Sequence, residues 1–216
     1  MAPVRFRYAT LEIGDVDIHL RTLRDNQQYE DEDGQAEALG ISAATWPLFG
    51  IVWESARVLA DLFKDADVEG LRILEVGCGI GLASLLLNNR RADITACDHH
   101  PRAEEFLQHN ASLNGDEPIP FFRGDWNVAA SSNGRFDLII GSDLLYEPDH
   151  AQLLSGFIDQ HAKATANAVI VDPRRGNGSA FCRSMRGHGF ERDQIEQERM
   201  GGPDLEFKGN VYRFSR

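Results

Sequence analysis

The stretch that most restricts the fold is Leu71 to Leu87, LRILEVGCGIGLASLLL. Leu71, Ile73, Leu74 and Val76 make a short continuous apolar run, the pattern of a strand covered on both faces in a parallel sheet. Gly77, Gly79 and Gly81 follow at alternate positions and let the backbone turn tightly and come close to a ligand. Apolar residues then resume at helical spacing. Strand, glycine turn and helix form the unit with which a doubly wound α/β sheet holds a nucleotide-like ligand. Glycines after a strand can also mark nothing more than a turn.

The spacing narrows the ligand. A dinucleotide fingerprint needs G-x-G-x-x-G, yet counting from Gly77 its last position is Leu82, and from Gly79 it is Ser84. What stands here is E-x-G-x-G-x-G, with Glu75 at the strand end. A carboxylate is a poor neighbour for a pyrophosphate at a helix N-terminus and a good one for a cationic amino group. The pattern resembles motif I of the seven-strand S-adenosylmethionine (AdoMet) methyltransferases.

A chain of 216 residues carries one domain with a sizeable core. Its formal charge of −12 and pI near 5.0 argue against nucleic acid as the main partner, since such binding rests on Lys and Arg clusters. Cys78, Cys97 and Cys182 are odd in number and lack C-x-x-C spacing, so neither a disulfide framework nor a zinc site is implied, and Cys78 and Cys97 read as small buried residues. His99, His100, His109, His161 and His188 show no metal-ligand spacing and read as surface or capping residues, with no metal expected. The N-terminus has no apolar signal region and no apolar run reaches membrane-spanning length. A cytoplasmic protein without membrane or nucleic-acid partners is the expectation; the oligomeric state is left open.

Residues 4–23 alternate as two strands joined at Gly14-Asp15, a hairpin expected to pack on the sheet or frame a substrate cleft. Arg24 to Gln35 holds the run Glu30-Asp31-Glu32-Asp33, expected as a mobile solvated loop. These first 45 residues are read as an accessory segment before a catalytic domain at 46–216. A helix is expected after Trp46, with Val52, Ala56, Leu59, Ala60 and Phe63 on one stripe. Trp53 at its start suits either core packing or a wall of the ligand pocket. Asn110 and Asn114 are expected to end a later helix. Strands are expected at 71–76, 92–97, 119–123, 136–141, 167–171, about 190–198 and 207–215. Helices separate the first several, which implies a parallel sheet. The last two strands, turning at Gly201-Gly202-Pro203, should form an antiparallel hairpin at the sheet edge.

Ligands of such sheets lie at the carboxyl ends of the strands. Asp98 ends the second core strand and is placed for ribose hydroxyls. Asp125 and Trp126 end the third, offering a carboxylate to an adenine amino group and an indole to its ring. The fourth ends in Gly141-Ser142-Asp143-Leu144-Leu145-Tyr146. Small Gly141 and Ser142 admit a ligand; Asp143 can hold an amine and Tyr146 can line its channel. A helix cap and a core tyrosine are the plainer reading of that pair. Methyl transfer from a sulfonium needs alignment, a water-poor channel and a neutral nucleophile more than a strong acid or base.

The helix beginning at Trp53, E-V-G-C-G-I-G, A-C-D98, G-D-W126 and above all D143-L-L-Y146 resemble family 16 of the class I methyltransferases. Its members methylate lysine, sometimes histidine, in proteins. The resemblance implies that Trp53, the Gly77 to Gly79 turn, Asp98, Trp126 and Ser142 contact AdoMet and that Asp143 and Tyr146 face the substrate amine. Glu75, Cys78, Gly81 and Asp125 complete the candidate cofactor set. The stretch V-D-P-R-R-G is similar to a D-P-G-R in the subgroup acting on the electron-transfer flavoprotein β-subunit, with Arg174 in place of that glycine. The expected activity is N-methylation of a protein lysine, with S-adenosylhomocysteine as product. A small-molecule N- or O-methyltransferase and a non-catalytic AdoMet-binding protein are the alternatives.

Overall fold

The structure is a computed structural model that describes residues 4–28, 31–128, 134–196, 199–202 and 205–216. Its first elements are β1 (Phe6–Ile13) and β2 (Val16–Leu23), an antiparallel hairpin closed at Gly14. The hairpin is a sheet of its own. Of the two placements expected for it, packing on the sheet is replaced by packing on the helices Leu82–Asn89 and Ala103–Leu113 over the sheet, where side-chain amides meet its outer edge. Asn110 accepts the Arg21 N–H at 2.7 Å and donates to the Arg21 carbonyl at 3.3 Å. Asn114 does the same for His19, both at 2.8 Å. Two asparagines one helical turn apart thus cover an edge strand, while Ile18, Leu20 and Leu23 enter the core. Asn114 caps its helix as expected, whereas Asn110 lies inside the helix and is buried.

Of the acidic run, Glu30 lies outside the described residues. Asp31 does more than meet solvent: its carboxylate accepts the Glu37 N–H at 2.8 Å, anchoring the single-turn helix α1 (Gln35–Ala38). A 3-10 turn, Trp46–Gly50, follows with Pro47 at its start. The next helix, α2 (Glu54–Phe63), begins later than its apolar stripe implied. Val52 precedes it and Trp53 is extended at its N-cap, with the indole N–H on the Leu48 carbonyl at 3.0 Å. Ser55, Val58, Leu59, Ala60 and Phe63 form the buried face.

From there strand and helix alternate: β3 (Arg72–Val76), α3 (Leu82–Asn89), β4 (Asp93–Asp98), α4 (Ala103–Leu113), β5 (Phe121–Arg123), β6 (Phe136–Ser142), α5 (His150–His161), β7 (Ala162–Asp172) and α6 (Gly178–Gly187). Then come β8 (Glu191–Glu196), β9 (Arg199–Gly202), β10 (Leu205–Lys208) and β11 (Asn210–Ser215). The main sheet has seven strands in the order β5-β4-β3-β6-β7-β11-β8. Pairs from β5 to β7 are parallel, and β11 runs antiparallel to both β7 and β8. This is the expected doubly wound α/β arrangement with a terminal hairpin. One buried cluster joins the hairpin, α2, α3 and α4 to one face; the other joins α5 and α6 to the opposite face.

The terminal hairpin differs in detail. Gly201 and Gly202 are strand residues paired with Glu206 and Leu205 in a two-stranded ribbon, because glycines weaken a ladder without breaking it. Pro203 and the expected strand end at 197–198 lie outside the described residues. The expected strand 207–215 is divided at Gly209, where a Cβ would sit 2.1 Å from the Phe207 ring and 2.6 Å from the Asp172 carbonyl. That bend carries the chain from ribbon to sheet. His100 and His161 are buried core residues, not surface ones. His100 stacks on Phe49 at 3.8 Å, and burial lowers its pKa to about 3, so it is neutral.

Candidate functional site

Glu75, the glycine turn and Asp98 meet where β3 and β4 end. Gly77, Gly79 and Gly81 all have positive φ, at 61°, 55° and 76°, which explains the residue type without a ligand. Their missing side chains leave room for the protein itself. A Cβ at Gly77 would lie 2.4 Å from Leu144 Cδ2, at Gly79 2.7 Å from the Phe49 carbonyl oxygen, and at Gly81 2.2 Å from Leu107 Cδ1. The 3-10 turn therefore seats directly on the glycine loop, a neighbour that spacing did not reveal.

Glu75 is only 2% exposed. Its Oε2 accepts the Ser84 N–H at 2.8 Å and also the Ser84 hydroxyl, tying the strand end to the first turn of α3. Burial pushes its carboxyl up to about 7 against the relief given by Ser84. Asp98 Oδ2 accepts the Gly79 N–H and Oδ1 the His100 N–H, both at 2.8 Å. Burial raises this carboxyl too, against those two bonds. The buried Cys78 thiol lies 3.7 Å from the Gly79 carbonyl it donates to, and burial raises its pKa well above its usual value.

Asp125 Oδ1 accepts the Asn127 N–H at 2.9 Å in a local turn. Trp126 meets the ring of His150 edge-on at 5.1 Å, and His150 in turn meets Tyr146 at 4.5 Å. Trp126, His150 and Tyr146 thus form a row of rings running from the end of β5 to the loop after β6. His150 is held by its Nδ1 against the Leu144 carbonyl at 2.8 Å.

Ser142 closes β6 beside Val171. Asp143 follows in the left-handed region at φ 56°, its N–H on the Val171 carbonyl at 2.9 Å. Its side chain is 9% exposed, and Arg175 grips it as a fork, Nε to Oδ1 and Nη2 to Oδ2, each 2.9 Å. Arg175 is the residue that sequence reading missed. A partner 32 positions away leaves no spacing signal; the D-P-R-R run was the only hint. Tyr146 stands 46% exposed, with burial of its inner part and the charges of Asp98, Glu147 and Asp143 raising its hydroxyl pKa. The structure brings Glu75, the glycines and Asp98 into one group, and Asp143, Tyr146 and Trp126 into a second. Leu144 joins the two. Trp53 sits half-buried at the start of α2, outside both sets of hydrogen bonds.

Known proteins resemble this chain at both levels. A family model described as lysine methyltransferase matches residues 41–188. The electron transfer flavoprotein beta subunit lysine methyltransferase of Xenopus laevis is 28% identical over 138 residues, 62% of this chain and 55% of that protein. Protein N-lysine methyltransferase METTL21A of Danio rerio is 30% identical over 116 residues, half of each chain. The chain thus spans about half the length of these curated relatives. A magnesium protoporphyrin IX methyltransferase from Synechocystis, solved with bound SAM, superposes with a TM-score of 0.57 at 20% identity, over 74% of this chain and 76% of that one, a likeness of fold. With most of its sequence matched by the family model, the chain belongs to the lysine methyltransferase family.

Proposed function

We propose that the protein is a cytoplasmic AdoMet-dependent methyltransferase acting on the ε-amine of a lysine in a protein. The observation that carries this reading is Leu144, whose methyls fill the space beside Gly77 and so fasten Asp143 and Tyr146 to the glycine turn. A cofactor held by that turn would lie next to the carboxylate and the exposed ring. The formal charge of −12 and the exposed segment Tyr146 to Asp149 suit a cationic substrate chain better than an anionic one. No helix among the described residues is long and apolar enough to cross a membrane.

The residues fit AdoMet chemically. Glu75 is a buried carboxyl poised to ionise, a suitable neighbour for an ammonium. Asp98 uses one lone pair of each oxygen on backbone N–H groups and keeps others for a diol. When bound, AdoMet supplies a methyl carbon attached to a sulfonium leaving group. Asp125 and Trp126 would orient the adenine end, and Asp143 would accept a hydrogen bond from the amine. A neutral amine would take that methyl, leaving S-adenosylhomocysteine, and give up its surplus proton to water. The substrate must therefore arrive, or become, neutral.

Transfer of labelled methyl from AdoMet into lysate proteins tests the reading. Label in a protein band, recovered as N-methyl-lysine and lost with Asp143→Ala, supports it. Label in small molecules alone, or bound cofactor with no transfer, overturns it.

A further inference from the structure

We propose that Arg175 is a positioning residue for methyl transfer: its fork on Asp143 cancels the carboxylate's charge, so that the substrate amine is held there while neutral. The inference rests on the lysine reading above. A bare carboxylate within about 4–6 Å of an amine favours the ammonium and raises its pKa by roughly 1–3 units, which hides the lone pair the reaction needs. An ionised carboxylate has about four lone-pair positions. The fork occupies one on each oxygen, leaving an acceptor for the amine with the charge already balanced.

The placement is built, not incidental. Arg174 takes φ 65°, and buried Asp172 accepts the N–H of Arg174 at 3.1 Å and that of Arg175 at 3.4 Å. Asn177 donates to the carbonyls of Leu145 at 2.9 Å and Glu147 at 3.1 Å, stitching the loop after β7 to the loop after β6. The Asp143 side chain is 9% exposed and that of Arg175 42%, so the carboxylate lies inside the site with the guanidinium at its mouth. Among the described residues, Asp172 and Tyr146 act electrostatically on this pair, and Arg174, Glu147, His150 and Asp98 border those two in turn. None of them replaces the guanidinium on the Asp143 oxygens.

The test is the pH profile of the plateau rate of N-methyl-lysine formation in lysate protein at saturating AdoMet, from about pH 7 to 11. In the wild-type protein the acid limb should level off at or below the ordinary lysine value of about 10.4. In Arg175→Gln the limb should move up by roughly 1–2 units from wherever the wild-type limb falls. Arg175→Lys, which keeps the charge, should stay within about half a unit of wild type. A low but parallel profile for Arg175→Gln would mean a structural role and overturn the inference. A wild-type limb above 10.4 overturns it even if that variant fails to fold. No N-methyl-lysine from wild type at any pH overturns the lysine reading itself, a different failure from a misplaced limb.

Discussion

Two regions at the carboxyl end of the sheet use the same backbone conformation for opposite purposes. In the loop after β3, the positive φ values belong to Gly77, Gly79 and Gly81, and neighbouring side chains and a carbonyl fill the space their missing Cβ atoms leave. In the loops after β6 and β7, Asp143 and Arg174 take positive φ beside Gly176 at 96°; the conformation costs a residue such as Arg174 about 1–2 kcal/mol, and an aspartate less. The first region gives up side chains so that backbone can approach backbone. At Asp143 the second keeps a side chain in a costly conformation, and that side chain holds Arg175. Strain kept at Asp143 rather than relieved by glycine is what the role proposed for its carboxylate predicts.

The contrast breaks most visibly at Gly79. Alanine there adds a Cβ 2.7 Å from the Phe49 carbonyl at φ 55°, and backbone cannot yield as a side-chain tip can. Left-handed strain plus overpacking should cost about 2–4 kcal/mol, lowering the melting temperature by roughly 5–15 °C. S-adenosylhomocysteine binding by calorimetry should be lost with it. A melt unchanged from wild type would show that the 3-10 turn is not seated on this loop.

The next effect is in pH. Glu75 has a folded value of about 7 against an ordinary 4.5, so the folded chain binds the extra proton between them and stability falls as pH rises through that window. His100 has a folded value of about 3 against 6.5, so there the unfolded chain binds the proton and stability falls as pH drops from 6.5. At full extent they are on the order of 3 kcal/mol for Glu75 and about 5 kcal/mol for His100, and they oppose one another between 4.5 and 6.5. Glu75→Gln should remove one side of the balance, leaving melting temperatures that rise with pH across that interval. Cofactor binding sharpens the same point. An ammonium against Glu75 favours its ionised form, so affinity should fall about tenfold per pH unit well below 7, and binding near pH 7 should release a proton, read from calorimetry in buffers of different ionisation heat. A binding enthalpy independent of buffer would remove Glu75 from the amino-acid subsite.

How much of this was legible follows from which signals are local. Order and type of the core strands follow from apolar runs such as Leu71 to Val76 and from the turns between them. Glu75, the glycines and Asp98 stand out because strand ends in this architecture face the ligand. Partnerships across loops left no trace: Arg175 with Asp143 and Asn177 with Leu145 and Glu147 are set by the neighbouring places of β6 and β7 in the sheet, and Ser84 meets Glu75 through the turn between β3 and α3, none of them at a sequence period. Local signals also misled where tertiary packing intervened. Val52 belongs to the helical stripe and Trp53 to its expected start, yet both precede the helix, Trp53 with extended backbone, where the 3-10 turn seats on Gly79. Gly201-Gly202 reads as a turn but pairs as a ribbon. Asn110 reads as a helix end, yet it spends its amide on Arg21.

The smallest effect is the finest test of the contrast. If Arg174 merely tolerates its left-handed conformation, then Arg174→Gly removes about 1–2 kcal/mol of strain and adds back somewhat less in unfolded-chain freedom. The net gain of about 0.5 kcal/mol should raise the melting temperature by about 1–2 °C. Arg174→Ala keeps the strain and should leave it unchanged. Methyl transfer should survive both, because what the loop must deliver is the guanidinium one residue later, held through the backbone by Asp172. A glycine variant that is more stable but shows the raised acid limb expected of Arg175→Gln would mean that the strain at Arg174 aims the fork. The two regions would then differ less than their residues suggest, each using the left-handed conformation to place a neighbour.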